Sequence, residues 1–439
     1  ENVLGLPMSF LDDHGADAGT PWGLAKTFVD QMFEYSETDG WNADGSLTND
    51  FNKMPFSDFD YEEYSAYKPE DNSVIDQTSG NEEQCKKEWF WEPLLETNYA
   101  GYFTKQEHVT PFAGFTGRLY GLTKDEYESF SVSKPDYDYC EEAENVLEET
   151  KQMAEDDEKK AEIEVFDSKF TSLLPMQINW ALMNRLSSFD FWYYDMILVT
   201  AMYDATMLVW REKVAINAVR PTTVVHTLKK DSEFEAYAGP YQGIKMMNAM
   251  DWQPYIRTMP HAEFPSGSSC ICTAFAESLQ LLTGQDGTGA FPVTMEVNAG
   301  SSKTEPGVAP QKNLTLTYNA WSEIQHACGE SRLHGGMHFS KAIPAGEELC
   351  TGLASHVVDR AEKLKLGEAS GALADLNDTS ITVKKSANLC VDSATWTFQP
   401  KNGSPKGCDW FGKVNTLRRC RKRGAVENCP VTCDACGNY

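Results

Sequence analysis

FDFWYYDMILVTAMYDATMLVWREKV, residues 189–214, is apolar at nearly every position for about seven turns. A strand of that length would be exceptional, and a half-buried helix would show a polar face. The stretch therefore predicts a helix buried all round at the centre of the molecule. Lys213 lies at its end and opens a second informative segment, KVAINAVRP (213–221), in which Pro221 marks a stop. Further on, FPSGS (264–268) precedes a segment from Ser269 to Leu282 with Ile271, Phe275, Leu279 and Leu282 at helical spacing. That puts Ser266 and Gly267 at a helix N-terminus, where free amides and the helix dipole favour an anion. A third segment, SRLHGGMH (331–338), is followed by a predicted helix over about 344–364, with Leu349, Leu353, Val357, Ala361 and Leu364 on one face.

Outward from this centre the signals weaken. Residues 1 to about 130 show no sustained period and predict long loops and short helices wrapped over a core. The acidic stretch 141–165 predicts an exposed helix or a solvated loop. Strand signals are few, so the fold class expected is mainly α: a helical bundle over 1–385, its first 150 residues irregular, followed by a small cysteine-rich module over 386–439.

The chain has 439 residues and a net charge of −28, from 38 Lys and Arg against 66 Asp and Glu. Such a field argues against nucleic acid and anionic lipid as partners. An anion site must then work locally, through clustered donors. No apolar run reaches the roughly 18 residues that span a bilayer. Twelve cysteines, sequons at Asn313, Asn377 and Asn402, and a sequence that starts at Glu1 suit a secreted or cell-wall glycoprotein.

The three segments hold the inventory for gripping a tetrahedral oxyanion. Arg220 and Arg332 offer guanidinium forks, Lys213 a point charge, Ser266 and the Gly267 amide neutral donors, and His338 a nitrogen. Each has a plain reading too: a helix stop, a turn, an ion-pair partner, a core histidine. Their conjunction, in order and with six residues between Lys213 and Arg220 and five between Arg332 and His338, resembles the site of vanadium-dependent haloperoxidases and the type 2 phosphatidic acid phosphatase superfamily. The local text MPHAEFPSG (259–267) is similar to the algal haloperoxidases, while Trp210 matches a Trp of fungal chloroperoxidases.

The resemblance implies vanadate bonded by His338 and held by Lys213, Arg220, Ser266, Gly267 and Arg332, with phosphate able to occupy the same site. It implies hydrogen peroxide polarised by Lys213 and attacked by halide, with His261 and Trp210 at the halide pocket. Two positions depart from the family pattern: Ser268 stands where it has an acid-base His, and Ala342 where it has the Asp that orients the metal-bound His. His261 is the candidate to replace the first, and Asp204 or Glu263 to replace the second; His334 is read as structural. A soluble acid phosphatase with His338 as nucleophile, and a retired oxyanion-binding or cell-wall protein, are the alternatives.

The tail from 386 carries eight basic and four acidic residues, +4 against −32 for the rest. Its six cysteines and the ending CPVTCDAC resemble the ShK-type toxin domain, which implies the pairs Cys390 with Cys436, Cys408 with Cys429 and Cys420 with Cys433. Spacing alone leaves all 15 pairings open. The pairing of Cys85, Cys140, Cys270, Cys272, Cys328 and Cys350 is likewise open. Such a tail on an algal-like enzyme suggests a diatom and contacts with a cell wall or other proteins. Oligomeric state, homo-oligomer included, is not written in the sequence.

Overall fold

The structure is a computed structural model that describes residues 21–36, 39–41, 82–97, 103–106, 108–111, 113–230, 232–287, 292–368 and 374–375. The chain divides into two compact units, Ser65–Asp378, and Glu1–Tyr64 with Thr379–Tyr439. Of the second unit only helix α1 (Pro21–Ser36) and residues 39–41 are described. The cysteine-rich tail, with Cys390, Cys408, Cys420, Cys429, Cys433 and Cys436, and the sequons at Asn377 and Asn402 lie outside the described residues.

The larger unit is mainly helical, as the periodicity predicts. Its helices are α2 (Glu82–Cys85), α3 (Ala113–Thr116), α4 (Lys124–Ser129), α5 (Tyr139–Ala154), α6 (Asp157–Val165), α7 (Lys169–Met183), α8 (Ser188–Ile216), α9 (Pro221–Leu228), α10 (Gly267–Thr283), α11 (Trp321–His334), α12 (Ala342–Cys350) and α13 (Leu353–Leu366). Among the described residues four antiparallel pairs accompany them: β1 (Leu95–Thr97) with β2 (Phe103–Lys105), β3 (Arg118–Leu119) with β8 (Ala374–Asp375), β4 (Glu233–Tyr237) with β5 (Ile244–Asn248), and β6 (Val293–Val297) with β7 (Leu314–Tyr318).

Helix α10 is the hub, packed on α8, α11, α12 and α13. Ile271, Phe275 and Leu279 meet Leu198 and Met202 of α8 and Trp321, Ile324 and Cys328 of α11 in one buried cluster. Two disulfides staple this hub, Cys270–Cys350 to α12 and Cys272–Cys328 to α11, and Cys85–Cys140 ties α2 to α5. Each typically contributes about 2–4 kcal/mol by restricting the unfolded chain. Helix α12 crosses the start of α10 so closely that a Cβ on Gly346 would lie 2.3 Å from the Ser266 carbonyl oxygen. Only glycine permits that approach.

Three expectations need correction. The 189–214 helix is largely buried only in its second half; the first half meets α13 at Tyr193 and α10 at Tyr194 but leaves Phe189 74 % and Trp192 66 % exposed. An all-apolar run carries no record of which side is covered. The helix expected over 344–364 is two helices, because Gly352 adopts φ +86° and turns the chain between α12 and α13. The acidic stretch forms α5 and α6, N-capped by Asp138 and Asp156, and each buries one face: Ala143, Val146 and Met153 on α5, Ile163 on α6. Their carboxylates at the first turns complement the helix dipoles, while Glu164 accepts from the Ser302 hydroxyl and the Lys303 N–H, and Glu162 from the Tyr318 hydroxyl.

Candidate oxyanion site

Helix termini set up the site. Helix α8 ends at Asn217 in the left-handed region, φ 51°, with the Asn217 N–H donating to the Lys213 carbonyl. The chain then reverses through Arg220, the N-cap residue of α9, with Pro221 at the first helical position. Lys213 and Arg220 are thereby delivered to one place from two helices. Both are buried, at 0 % and 1 % exposure. The Lys213 ammonium donates to the carbonyls of Ala262 (3.0 Å) and Glu263 (2.8 Å). Arg220 donates to the carbonyls of His261 (2.8 Å) and Met337 (2.8 Å). Arg332, 2 % exposed, comes from the last turn of α11 and donates to the Ile163 carbonyl at 2.7 Å, with Asp167 3.6 Å away.

His338 is 4 % exposed, and its Nδ1 lies 2.8 Å from the Glu263 carboxylate. The same carboxylate oxygen accepts the Phe339 N–H at 3.0 Å. Of the two carboxylates proposed to orient this ring, Glu263 does so. Asp204 does not: it is buried among the N–H groups of Tyr120, Gly121 and Leu122, which it accepts at 2.8–2.9 Å. Ala342 contributes through its backbone instead, accepting the Ser266 N–H at 3.0 Å. With the Nδ1 proton facing Glu263, the Nε2 lone pair faces the interior, 3.4 Å from an Arg220 amine. That is the tautomer a ligating imidazole needs.

Ser266 is the N-cap of α10: its hydroxyl accepts from the Ser269 N–H and from the Ser269 hydroxyl at 3.0 Å. Gly267 rests on the cation itself, since a Cβ built there would lie 3.5 Å from Lys213 Cε and 3.9 Å from the Trp210 ring. Ser268 follows in the same turn and is 7 % exposed. The anticipated helix N-terminus is therefore present and packed against Lys213.

His261 stacks beside Trp210, ring centroids 4.8 Å apart, and its Nδ1 lies 3.0 Å from an Arg220 amine. The Ala262 carbonyl lies 3.2 Å from the same Nδ1, so this nitrogen faces a donor and an acceptor together. Burial, then Arg220 and Lys213, holds this imidazole well below the ordinary histidine value. The ring is therefore neutral near pH 7, able to form hydrogen bonds but a poor proton donor. His334 lies apart, paired with Glu149 at 2.9 Å.

Two side chains were missed in the sequence. His108 comes from the irregular region and carried no motif. Its Nε2 accepts the Ala262 N–H at 3.3 Å, and its ring lies 6.3 Å from that of His261. Burial lowers its pKa from 6.5 to about 3. Below pH 6.5 the unfolded chain takes up a proton that folded His108 refuses, so stability falls as pH drops from 6.5 towards 3. His108→Gln keeps an acceptor but no titration. Its denaturant-unfolding free energy should fall less steeply over that window, by up to about 1.4 kcal/mol per pH unit; equal slopes would sink the assignment. The second is Lys169, at the start of α7, two residues beyond Asp167. Burial, then the charge of Arg332, pushes its ammonium well below the usual lysine value.

The charge balance says what the site fits. Lys213, Arg220 and Arg332 are buried, yet the carboxylates at hand are Glu263 and the partly exposed Asp167. Burial holds Lys213 well below the normal lysine value, with Arg220 adding to the effect. It also lifts Glu263 to about 7. Buried like charges of this kind are costly until a counter-charge arrives. A tetrahedral oxyanion would supply it, and the inward-facing Nε2 of His338 could serve its central atom as a ligand.

Residues 194–367 match the family model of the VCPO second helical-bundle domain. The structure is similar to that of a holo-type bacterial vanadium-dependent chloroperoxidase, with TM-score 0.70 and 22 % identity over 82 % of this chain and 76 % of that one. It is also similar to an apo-type bacterial vanadium-dependent chloroperoxidase, with TM-score 0.72 and 21 % identity over 83 % and 78 %. No curated protein matches the sequence. The fold is vanadium haloperoxidase-like.

Proposed function

We propose that this protein is a vanadate-dependent haloperoxidase that oxidises halide with hydrogen peroxide to hypohalous acid. The observation that carries the reading is the gathering around His338 of three buried cations, Arg220, Lys213 and Arg332, whose charges all act on its ring, with Glu263 behind it. Bound vanadate would supply Lewis-acid activation of peroxide without a change of oxidation state. The chain's own groups would do the rest. Lys213, Arg220 and Arg332 offset negative charge on the oxyanion, Ser266 and the Gly267 amide donate to it, and Glu263 holds His338 in its ligating tautomer. His261, neutral beside Trp210, lines the same side of the site. The pairing of His261 with Trp210 supports an algal-type halide pocket of hybrid character. The three core disulfides favour an oxidising, extracellular location, and the tail's cysteine spacing supports an ShK-type module.

The test is to strip the full-length protein, titrate it with vanadate, and assay iodide and bromide oxidation with peroxide. One vanadate per chain, displaced by phosphate and required for oxidation, is the expected outcome. Turnover of an aryl phosphate without halide oxidation would instead make it a phosphatase.

Ser268 should limit the rate. A general acid-base group contributes typically 10²–10⁴-fold, and a serine hydroxyl is too weak an acid to replace it near pH 7. Ser268→His, on a turn already aimed at the oxyanion, is expected to raise bromide turnover by at least about tenfold. Slower turnover in that variant would mean that Ser268 serves a different, working mechanism.

A further inference from the structure

We propose that His108 is a positioning residue for Arg220, acting through the single peptide group that joins His261 to Ala262. The carbonyl of that group accepts the Arg220 Nε–H at 2.8 Å, and its N–H donates to His108 Nε2 at 3.3 Å. One planar unit is thus gripped at both ends, by a guanidinium on one side and an imidazole on the other. Each bond polarises the next, so the two strengthen together. Arg220 also donates from one terminal amine to the Ala262 carbonyl at 3.3 Å, and its other amine lies 3.4 Å from His338 Nε2. A turn of the 261–262 peptide would therefore carry the guanidinium away from His338. The inference deepens the oxyanion reading above and rests on it for its functional consequence.

The imidazole is fixed for this task. The Val109 carbonyl lies 3.1 Å from His108 Nδ1 and can only accept, so the ring proton sits on Nδ1 and the Nε2 lone pair is left for the Ala262 N–H. The buried Trp91 packs edge-on against the ring, centroids 5.3 Å apart. With its pKa lowered to about 3, the ring stays an acceptor at neutral pH. The backbone around His108 is tied to the same stretch of chain: Gln106 donates to the Thr258 carbonyl at 3.0 Å, and the Val109 N–H to the Pro260 carbonyl at 3.0 Å. The Val109 carbonyl also accepts the Trp210 indole N–H at 2.9 Å. These contacts place the segment, and the His108 side chain adds the one that reaches the peptide holding Arg220. Ala262 is fully buried, so bulk water does not replace a lost acceptor at its N–H.

Inorganic phosphate is the probe for the functional consequence. In His108→Leu its dissociation constant should rise at least about tenfold, whereas His108→Gln, whose side-chain oxygen takes the place of Nε2 as acceptor, stays within about threefold of wild type. In an Arg220→Met background His108→Leu should add less than about twofold, because the group it positions is gone. Equal losses in the Leu and Gln variants, or an undiminished effect in Arg220→Met, overturn the proposal, since a purely structural role gives those results. Nitrogen NMR supplies a readout that needs no anion. In wild type, His108 should be protonated at Nδ1 and bare at Nε2; the opposite tautomer overturns the proposal whether or not any variant folds. The Arg220 Nε–H resonance should shift in His108→Leu and return in His108→Gln, and a resonance indifferent to both also overturns it. If wild type binds neither phosphate nor vanadate while that resonance responds as expected, the oxyanion reading fails and the positioning of Arg220 by His108 stands.

Discussion

In His338→Ala, vanadate binding is expected to be lost while phosphate binding survives within about tenfold. Both oxyanions meet the same cations and donors, and both lose one hydrogen-bond-like contact, typically worth about 1–1.5 kcal/mol. Vanadate alone would also lose a coordinate bond, if the inward-turned Nε2 of His338 serves as its ligand. Retained phosphate binding doubles as proof that the variant's site is folded, which matters because the variant leaves Glu263 buried without its imidazole. Paired titrations, monitored by calorimetry, give the answer. Equal loss of both anions would mean that His338 only shapes the pocket. Undiminished vanadate binding would remove it from the site altogether. Halide oxidation should fall with vanadate affinity, and by more than the roughly 10–100-fold that removing a group acting through the ligand costs.

Glu263→Gln should show that smaller effect, together with a change in pH dependence that a purely structural role would not produce. Burial lifts the carboxyl to about 7. Above that pH it is ionised, accepts the Nδ1 proton and leaves Nε2 free. Below it the protonated carboxyl can donate to Nδ1, the ring proton moves to Nε2, and the lone pair needed for ligation is lost. Wild-type vanadate affinity should therefore weaken as pH falls through about 7, beyond any change due to the anion's own titration. The glutamine carbonyl accepts from Nδ1 at every pH. The variant is expected to bind vanadate about 10–100-fold more weakly at pH 8, with the gap to wild type narrowing towards pH 6. A constant ratio across that range would show that Glu263 does not set the tautomer of His338.

The sequence by itself determined the elements that short-range order controls. The hydrophobic run at 189–214, the Pro-Ser-Gly turn before 269–282 and the proline after Arg220 each act within a few residues, through side-chain periodicity, free amides at a helix start and a fixed φ. The helical character and the helix termini bearing Lys213, Arg220 and Ser266 were therefore legible, as was the spacing that joins Arg332 to His338. Tertiary structure alone decided what depends on contacts between distant segments. Glu263 rather than Asp204 orients His338 because the chain folds Glu263 to within 2.8 Å of a ring 75 positions away, while Asp204 is taken by the N–H groups of residues 120–122. The neutral state of His261 follows from its burial and from Arg220, 3.0 Å away and 41 positions earlier. His108 and Lys169 lie in segments with no motif, and only packing brings them to Ala262 and Arg332. Which side chains of α8 are covered was settled by where α3, α10 and α13 come to rest. Periodicity records that a face is apolar; what covers it is fixed by segments far along the chain.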